Sequence, residues 1–183
     1  MVRDLSVRLA YRDYAALPDD GRRYEIHDGE LSVTPAPSPH HQWVIGELFA
    51  LLREHVRAAR LGRVFVSPLD VILDDSTIVQ PDLVFLASER TGLVSGRGIE
   101  GAPTLVVEVL SPSTGEIDRV RKRQLYARYG VPHYWMVDPE ALALEAYVLG
   151  PAGYTLAVRA EGSEPVSPPP FDGLALVLSA LRS

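Results

Sequence analysis

Short apolar blocks separated by turn residues run along most of the chain, with one long stretch of helical periodicity. Residues 22–34 alternate on both sides of Asp28-Gly29, which predicts a β-hairpin with Leu31 and Val33 facing the core. Residues 40–60 predict an amphipathic helix that ends near Gly62. Its apolar positions at helical spacing are Val44, Leu48, Leu51, Leu52 and Val56.

The middle of the chain is typical of strands. Apolar runs at 63–67, 69–73 and 82–87 are each bounded by Pro, Asp or Ser, and 103–110 is a near-continuous apolar run of the kind that is covered on both faces. The glycine-rich stretch 88–102 predicts a loop. The remaining predicted elements are a short amphipathic start at 5–17, a proline-rich connector at 35–39, a helix from the Ser113 and Glu116 capping box to about Tyr129, a strand at 133–138, a hairpin of 142–149 with 154–160, and a loop at 163–173.

This order of elements predicts the fold class. A mixed sheet with helices on both faces fits the succession of helix, strands, helix and strand, which is an α/β or α+β arrangement. A length of 183 residues is ordinary for one domain, so we expect residues 1–183 to form one.

Composition excludes several classes of protein. The chain has no cysteine, which excludes a disulfide framework, a thiolate nucleophile and a zinc site built on sulfur, so that any metal must bind oxygen or imidazole. No apolar run approaches the roughly 20 residues of a membrane span. The first 14 residues carry five charges where a signal peptide needs an apolar stretch, so we expect a cytoplasmic protein.

Charge is distributed unevenly. The net charge is −6, which does not favour nucleic-acid binding by the whole molecule. The predicted helix after Ser113 nevertheless has a net charge of +3, and its basic residues include Arg119, Arg121 and Arg123. This helix is the one segment suited to a polyanion, although such charge runs are usually solvated helix faces.

Two carboxylates are candidates for metal ligands. Glu108 interrupts an apolar strand, where a carboxylate must be paired, protonated or bound to a cation. Asp82 follows Gln80-Pro81 at the start of another strand. Carboxylates on adjacent strands can bind one hard cation. The alternatives are a salt bridge to an arginine for Glu108 and a strand-start turn for Asp82.

Lys122 is the only lysine among 18 basic residues. The expected helix and strand geometry lets its side chain reach Glu108. The alternative is a surface pair with Asp118, four residues earlier. Three further residues have lower weight as site residues: Glu30 on the hairpin, Glu47 in the long helix and His41 at its start.

Together these motifs resemble a known family. The residues that carry the resemblance are Tyr24-Glu25-Ile26, Asp28-Gly29-Glu30-Leu31, Pro37-Ser38, His41, Gln80-Pro81-Asp82-Leu83, Val107 to Thr114, Asp118, Lys122, Tyr126 and Gly130 to Pro139. In order and spacing they are similar to the bacterial putative restriction endonuclease family of unknown function, which belongs to the PD-(D/E)XK nuclease superfamily.

The resemblance implies a restriction-endonuclease-like fold and a DNA endonuclease that works as a homodimer. It implies Mg²⁺, with Mn²⁺ as a substitute, held by Asp82, Glu108 and the carbonyl of Val109. The superfamily's lysine usually lies two residues after the Glu, and that position is Leu110 here. By analogy with members whose lysine lies on the following helix, Lys122 replaces it. Arg119, Arg121 and Arg123 would then help to hold the phosphate backbone.

A second function remains open at this point. A catalytically silent member could bind DNA or a protein partner and retain only the fold. The two hypotheses differ in one requirement, since only the enzyme needs Asp82, Glu108 and Lys122 to converge on a cation.

Overall fold

The computed structural model describes residues 8–34, 36–111 and 116–182, except for the side chains of 116–118. The α-helices in this part of the chain are α1 (Tyr11–Tyr14), α2 (Pro39–Ala58) and α3 (Glu116–Arg128), and short 3₁₀ helices cover Ser88–Leu93 and Leu178–Leu181. The strands are β1 (Arg23–His27), β2 (Glu30–Thr34), β3 (Gly62–Val66), β4 (Val71–Asp74), β5 (Thr77–Val79), β6 (Leu83–Ala87), β7 (Ile99–Glu100), β8 (Leu105–Val109), β9 (His133–Asp138), β10 (Ala143–Gly150) and β11 (Gly153–Glu161).

The strands form two mixed sheets. The first has the order β2-β1-β5-β4-β7 and the second the order β11-β10-β9-β8-β6-β3. Strands β8 and β9 are parallel neighbours, and α3 makes the crossover connection that such a pair requires. The predicted mixed α+β fold is confirmed, but with two sheets, because the N-terminal hairpin pairs with β5 through Ile26 and Ile78.

The hairpin of β1 and β2 turns at the predicted dipeptide. Asp28 and Gly29 have φ values of 55° and 83°, the left-handed conformation of a type I′ turn. A Cβ at Gly29 would lie 2.8 Å from the Cβ of Arg8, so close packing as well as the turn favours glycine there.

Helix α2 begins and packs as its sequence indicates. The Ser38 hydroxyl accepts a hydrogen bond from the backbone N–H of His41 at 3.2 Å, and Pro39 occupies the first turn. The helix buries one apolar stripe against the second sheet, and that stripe consists of Val44, Ile45, Leu48, Leu52 and Val56. Among the described helices, none is long and apolar enough to cross a bilayer.

Strand β8 is buried on both faces, as predicted, and its alternation determines where Glu108 points. Val107 and Val109 pack into the core that contains α2, whereas Val106 packs with residues of α3. Because side chains alternate along a strand, Glu108 shares the α3 face with Val106.

Several local predictions were wrong. The stretch 88–102 is not only loop, since Ile99–Glu100 pairs in parallel with β4. Leu31 and Val33 do not face the core but are 43% and 46% exposed, on the edge strand β2 of the first sheet. Within the amphipathic start predicted at 5–17, the described residues form one short helix, Tyr11–Tyr14. The capping box at Ser113 and Glu116 lies outside the described residues and side chains.

Candidate functional site

Charged and polar side chains from both sheets and two helices meet in the interior. We call this group the polar cluster. It consists of Arg23, Glu25 and His27 on β1, His41 on α2, Asp82 before β6, Glu108 on β8, and Lys122 and Tyr126 on α3. Glu25, His27, His41, Asp82 and Glu108 are all buried. Because burial of a charge is unfavourable without partners, the contacts within the cluster determine what it can do.

Asp82 is held by three neighbours. Its Oδ2 accepts a hydrogen bond from the backbone N–H of Val109 at 2.9 Å, and its Oδ1 lies 3.2 Å from a terminal nitrogen of Arg23. The Nε2 atom of His41 lies 3.4 Å from Oδ2. Burial alone would raise the pKa of Asp82, but His41, Arg23 and the Val109 N–H together hold it below its usual value. Asp82 is therefore an anion at neutral pH.

His41 connects Asp82 with the end of β8. Its Nε2 lies 2.9 Å from the carbonyl oxygen of Val109, the atom that the resemblance implies as a metal ligand. Burial would lower the pKa of His41, yet the carboxylate of Asp82 and the Val109 carbonyl raise it above its usual value. The imidazole thus contacts two of the predicted ligand groups.

Glu108 and Lys122 are in contact. The Nζ atom of Lys122 lies 3.2 Å from Oε1 of Glu108, and the Tyr126 hydroxyl donates to the same oxygen at 2.7 Å. Burial raises the pKa of Glu108, Lys122 opposes the rise, and the carboxylates of Asp82 and Glu25 add to it, so that the net pKa is raised. Mutual repulsion of carboxylates is therefore one of the causes that raise the pKa of Glu108.

Glu25 is a member of the cluster to which the sequence analysis assigned no role, although it belongs to the Tyr24-Glu25-Ile26 motif. Its Oε2 lies 3.4 Å from Lys122 Nζ and 3.1 Å from His27 Nε2, and its Oε1 accepts from the backbone N–H of Gln80 at 2.7 Å. The signal that could have found it is the alternation of Arg23, Glu25 and His27, which puts three polar side chains on one face of β1. Burial would raise the pKa of Glu25, but Lys122 and His27 outweigh it and the pKa is lowered.

The lower-weight acidic candidates lie elsewhere. Glu30 is exposed on β2 and pairs with Arg121 at 2.7 Å, and Glu47 is exposed on α2. Both residues lie outside the polar cluster. The alternative partner of Lys122, Asp118, is among the side chains that the structure does not describe.

The three predicted DNA-contacting arginines lie along α3, the helix that carries Lys122. Arg121 also donates to the carbonyl of His27 at 3.2 Å, and Arg119 lies 3.9 Å from Asp138. Arg123 donates to the hydroxyl of Tyr147 at 3.3 Å. All three therefore have partners within the chain, and they stand on the helix next to the polar cluster.

The donor chemistry of the site fits a hard divalent cation. Asp82, Glu108 and the Val109 carbonyl supply oxygen atoms, the ligands that Mg²⁺ prefers, and both carboxylates are buried. Within the described part of the chain, no three acidic or imidazole side chains form a ready-made metal cage. A Mg²⁺ ion with two carboxylates and several waters does not need one.

The comparisons with known proteins agree with this architecture. The fold resembles a crystal structure described as a putative nuclease belonging to DUF820 from Anabaena variabilis ATCC 29413, with a TM-score of 0.77 and 20% sequence identity over 94% of this chain and 97% of that one. No curated protein matches the chain. The family model of Uma2, described as putative restriction endonuclease, matches residues 11–179. The chain therefore belongs to the Uma2 family of putative restriction endonucleases.

Proposed function

We propose that this protein is a Mg²⁺-dependent DNA endonuclease that hydrolyses phosphodiester bonds, with Asp82, Glu108 and Lys122 at its active site. The observation that carries the proposal is the contact of 3.2 Å between Lys122 and Glu108, in a cluster that also holds Asp82. Two carboxylates beside one ammonium group are the charges that metal-assisted phosphate hydrolysis uses.

Asp82, Glu108 and the Val109 carbonyl would hold the cation. When bound, a divalent cation polarises the phosphate and lowers the pKa of a coordinated water. Burial and, after it, repulsion from Asp82 and Glu25 raise the pKa of Glu108, and a bound cation would oppose both effects, which supports this assignment.

Lys122 and the arginines of α3 would handle the phosphate. The ammonium of Lys122 would orient the attacking water or stabilise the charge that develops on the phosphoryl oxygens. Arg119, Arg121 and Arg123 share its helix, where they would hold the flanking backbone of the DNA. Each arginine would give up its partner within the chain and bind a phosphate instead. Where that partner is exposed, as Glu30 is for Arg121, the ion pair is weak and little stability is lost.

We also propose that residues 1–183 form a single nuclease domain that acts as a homodimer. Contacts of the polar cluster link both sheets, which supports one domain. Leu31 and Val33 give the edge strand β2 an exposed apolar face, and an open edge of this kind is suited to pairing with a second copy.

One observation favours a second candidate, a catalytically silent DNA- or protein-binding module. The carboxylate of Asp82 already has Arg23, His41 and the Val109 N–H as partners, and Leu110 stands where the superfamily usually has its lysine. In that case the polar cluster would be an internal network of ion pairs.

The test combines metal binding with DNA cleavage. Calorimetry with Mn²⁺ and Mg²⁺, with and without duplex DNA, is compared for the wild type, Asp82→Asn, Glu108→Gln and the exposed control Glu54→Gln. We expect one saturable site that both cluster variants lose and the control retains. Cleavage of plasmid and oligonucleotide DNA should be lost in the same two variants and in Lys122→Met.

Two results would contradict the enzyme. A wild type that binds neither cation, even with DNA present, would favour the binding module. Metal binding that survives in both Asp82→Asn and Glu108→Gln would put the metal at other residues.

A further inference from the structure

We propose that Glu25 is a positioning residue of this site, which holds the ammonium group of Lys122 against Glu108. The inference rests on the proposed function for its catalytic meaning, although the positioning itself can be tested without any activity. It adds strand β1 to a site whose proposed catalytic residues, Asp82, Glu108 and Lys122, lie just before β6, on β8 and on α3.

Glu25 is itself firmly held. The backbone N–H of Gln80 donates to its Oε1 at 2.7 Å, and His27 lies 3.1 Å from its Oε2. The residue is 2% exposed, so water does not compete for its carboxylate. Because both of its oxygens have partners, the carboxylate of Glu25 has a fixed position when it contacts a third group.

The side chain of Lys122 is long and flexible, so its ammonium group needs partners with fixed positions to hold it in one place. A lysine side chain has four rotatable carbon bonds and about 2 kcal/mol of rotamer entropy, so one partner does not determine where its nitrogen lies. Here Nζ lies 3.4 Å from Oε2 of Glu25 and 3.2 Å from Oε1 of Glu108. The two carboxylates belong to different sheets, and together they restrict the position of the ammonium group.

Strand β1, which carries Glu25, also fixes the segment that leads to Asp82. Arg23 donates to the carbonyl of Gln80, while Glu25 accepts from the N–H of Gln80, so β1 contacts both backbone groups of one residue. Gln80 lies two residues before Asp82. Glu25 is therefore a side chain that contacts both the Gln80–Asp82 segment and Lys122, and it sets the position of one relative to the other.

Small errors in such positions reduce catalysis strongly. A displacement of about 1 Å can lower a rate by about a hundredfold. Loss of the Glu25 charge should thus lower kcat even though Glu25 touches no group that reacts.

The first experiment uses the fact that Lys122 is the only lysine in the chain. An amine-acetylating reagent at fixed pH modifies Lys122 and the amino terminus, and peptide mass mapping separates the two. We expect Glu25→Gln to label Lys122 about tenfold faster than the wild type, the change that loss of one charge-assisted hydrogen bond predicts. Glu30→Gln, on the neighbouring strand, should label at the wild-type rate, and equal rates in Glu25→Gln and the wild type would overturn the proposal.

The second experiment measures cleavage in a double-mutant cycle. Glu25→Gln should lower kcat by about tenfold to a hundredfold, with KM within about twofold. The double variant Glu25→Gln/Lys122→Met should be no slower than Lys122→Met, because Glu25 acts through Lys122. Additive losses would overturn the proposal and give Glu25 an independent role.

The two experiments keep the two proposals apart. If the wild type cleaves no DNA, the proposed function fails, and the labelling rate still decides whether Glu25 positions Lys122. If Glu25→Gln alone does not fold, the double variant removes both charges of the Glu25–Lys122 pair and should restore folding, and failure to do so counts against the pairing.

Discussion

The Nζ atom of Lys122 lies 3.2 Å from Oε1 of Glu108, although 14 positions separate the two residues in the chain. The contact forms because β8 turns Glu108 towards α3, and α3 returns over that face to connect β8 with the parallel β9. The crossover helix thus brings a lysine into contact with Glu108. This geometry supports the assignment of Lys122 in place of a residue at position 110.

Replacement of Glu108 should increase stability while it abolishes cleavage. The raised pKa means that the ionised Glu108 is less favourable in the folded chain than in the unfolded one, so the cost begins as the pH rises above about 4.5 and is complete above the folded-state pKa. We expect Glu108→Gln to raise the free energy of unfolding at pH 7 by about 1 kcal/mol and Tm by about 2–4 °C.

Thermal unfolding at pH 7 and at pH 4 measures this effect. The gain should shrink at the lower pH, where both folded and unfolded wild-type chains bind the proton. A variant that is less stable than the wild type at pH 7 would show that the pair with Lys122 outweighs burial and repulsion together.

Replacement of Asp82 should have the opposite effect on stability. Asp82→Asn leaves the partly buried guanidinium of Arg23 without its carboxylate partner; the loss of one partner of a fully buried pair costs about 3–5 kcal/mol, and we expect a cost at or below the lower end of that range. The double variant Asp82→Asn/Arg23→Met should recover part of the lost free energy of unfolding, as measured by urea unfolding at pH 7.

The pH dependence checks the origin of the Asp82 effect. The pKa of Asp82 is lowered from 3.8, so its contribution is present above about pH 3.8 and is lost as the pH falls through the folded-state pKa. A difference between Asp82→Asn and the wild type that stays constant down to pH 2 would contradict the ion-pair explanation.

His41 should make the wild type less stable as the pH rises. Its pKa is raised above 6.5, so its stabilising contribution is complete below pH 6.5 and is lost as the pH rises through the folded-state pKa. Urea unfolding at pH 6 and pH 9 should show a smaller loss of stability for His41→Gln than for the wild type. Parallel pH profiles for the two proteins would mean that His41 stays neutral.

The exposed stripe on β2 predicts a change in oligomeric state. We expect Leu31→Lys/Val33→Lys to convert the proposed dimer to a monomer in light scattering, because lysine on an edge strand opposes pairing. Stability should change by less than about 0.5 kcal/mol per site, since both side chains are exposed. The exposed α2 variant Glu54→Gln is the control, and a double-lysine variant that remains dimeric would place the interface elsewhere.

Local signals in the sequence were sufficient for most elements. The Asp28-Gly29 turn, the apolar stripe of α2 and the strand at 133–138 depend on neighbours within a few positions, and the structure confirms them. The short strands β5 and β7 escaped prediction, because two or three residues carry no period and pair only through distant partners.

The site shows the same division. An acid inside an apolar strand and an acid after Gln80-Pro81 are visible in the sequence, so local context alone was enough to single out Glu108 and Asp82. Glu25 could not be weighed in the same way, since nothing near it in the chain indicates that Lys122 and Gln80 will be its partners.

The sequence by itself therefore determined the fold class, most helices and strands, and three of the residues proposed for catalysis. Periodicity, turn residues and a charged residue inside an apolar strand are properties of short stretches of chain, so they can be read without the structure. Only the tertiary structure decided that the hairpin joins a second sheet, that Leu31 and Val33 are exposed, and that Arg23 and His41 contact Asp82 while Glu25 contacts Lys122. Burial and charge pairing depend on which distant segments pack together, and no short stretch of sequence contains that information.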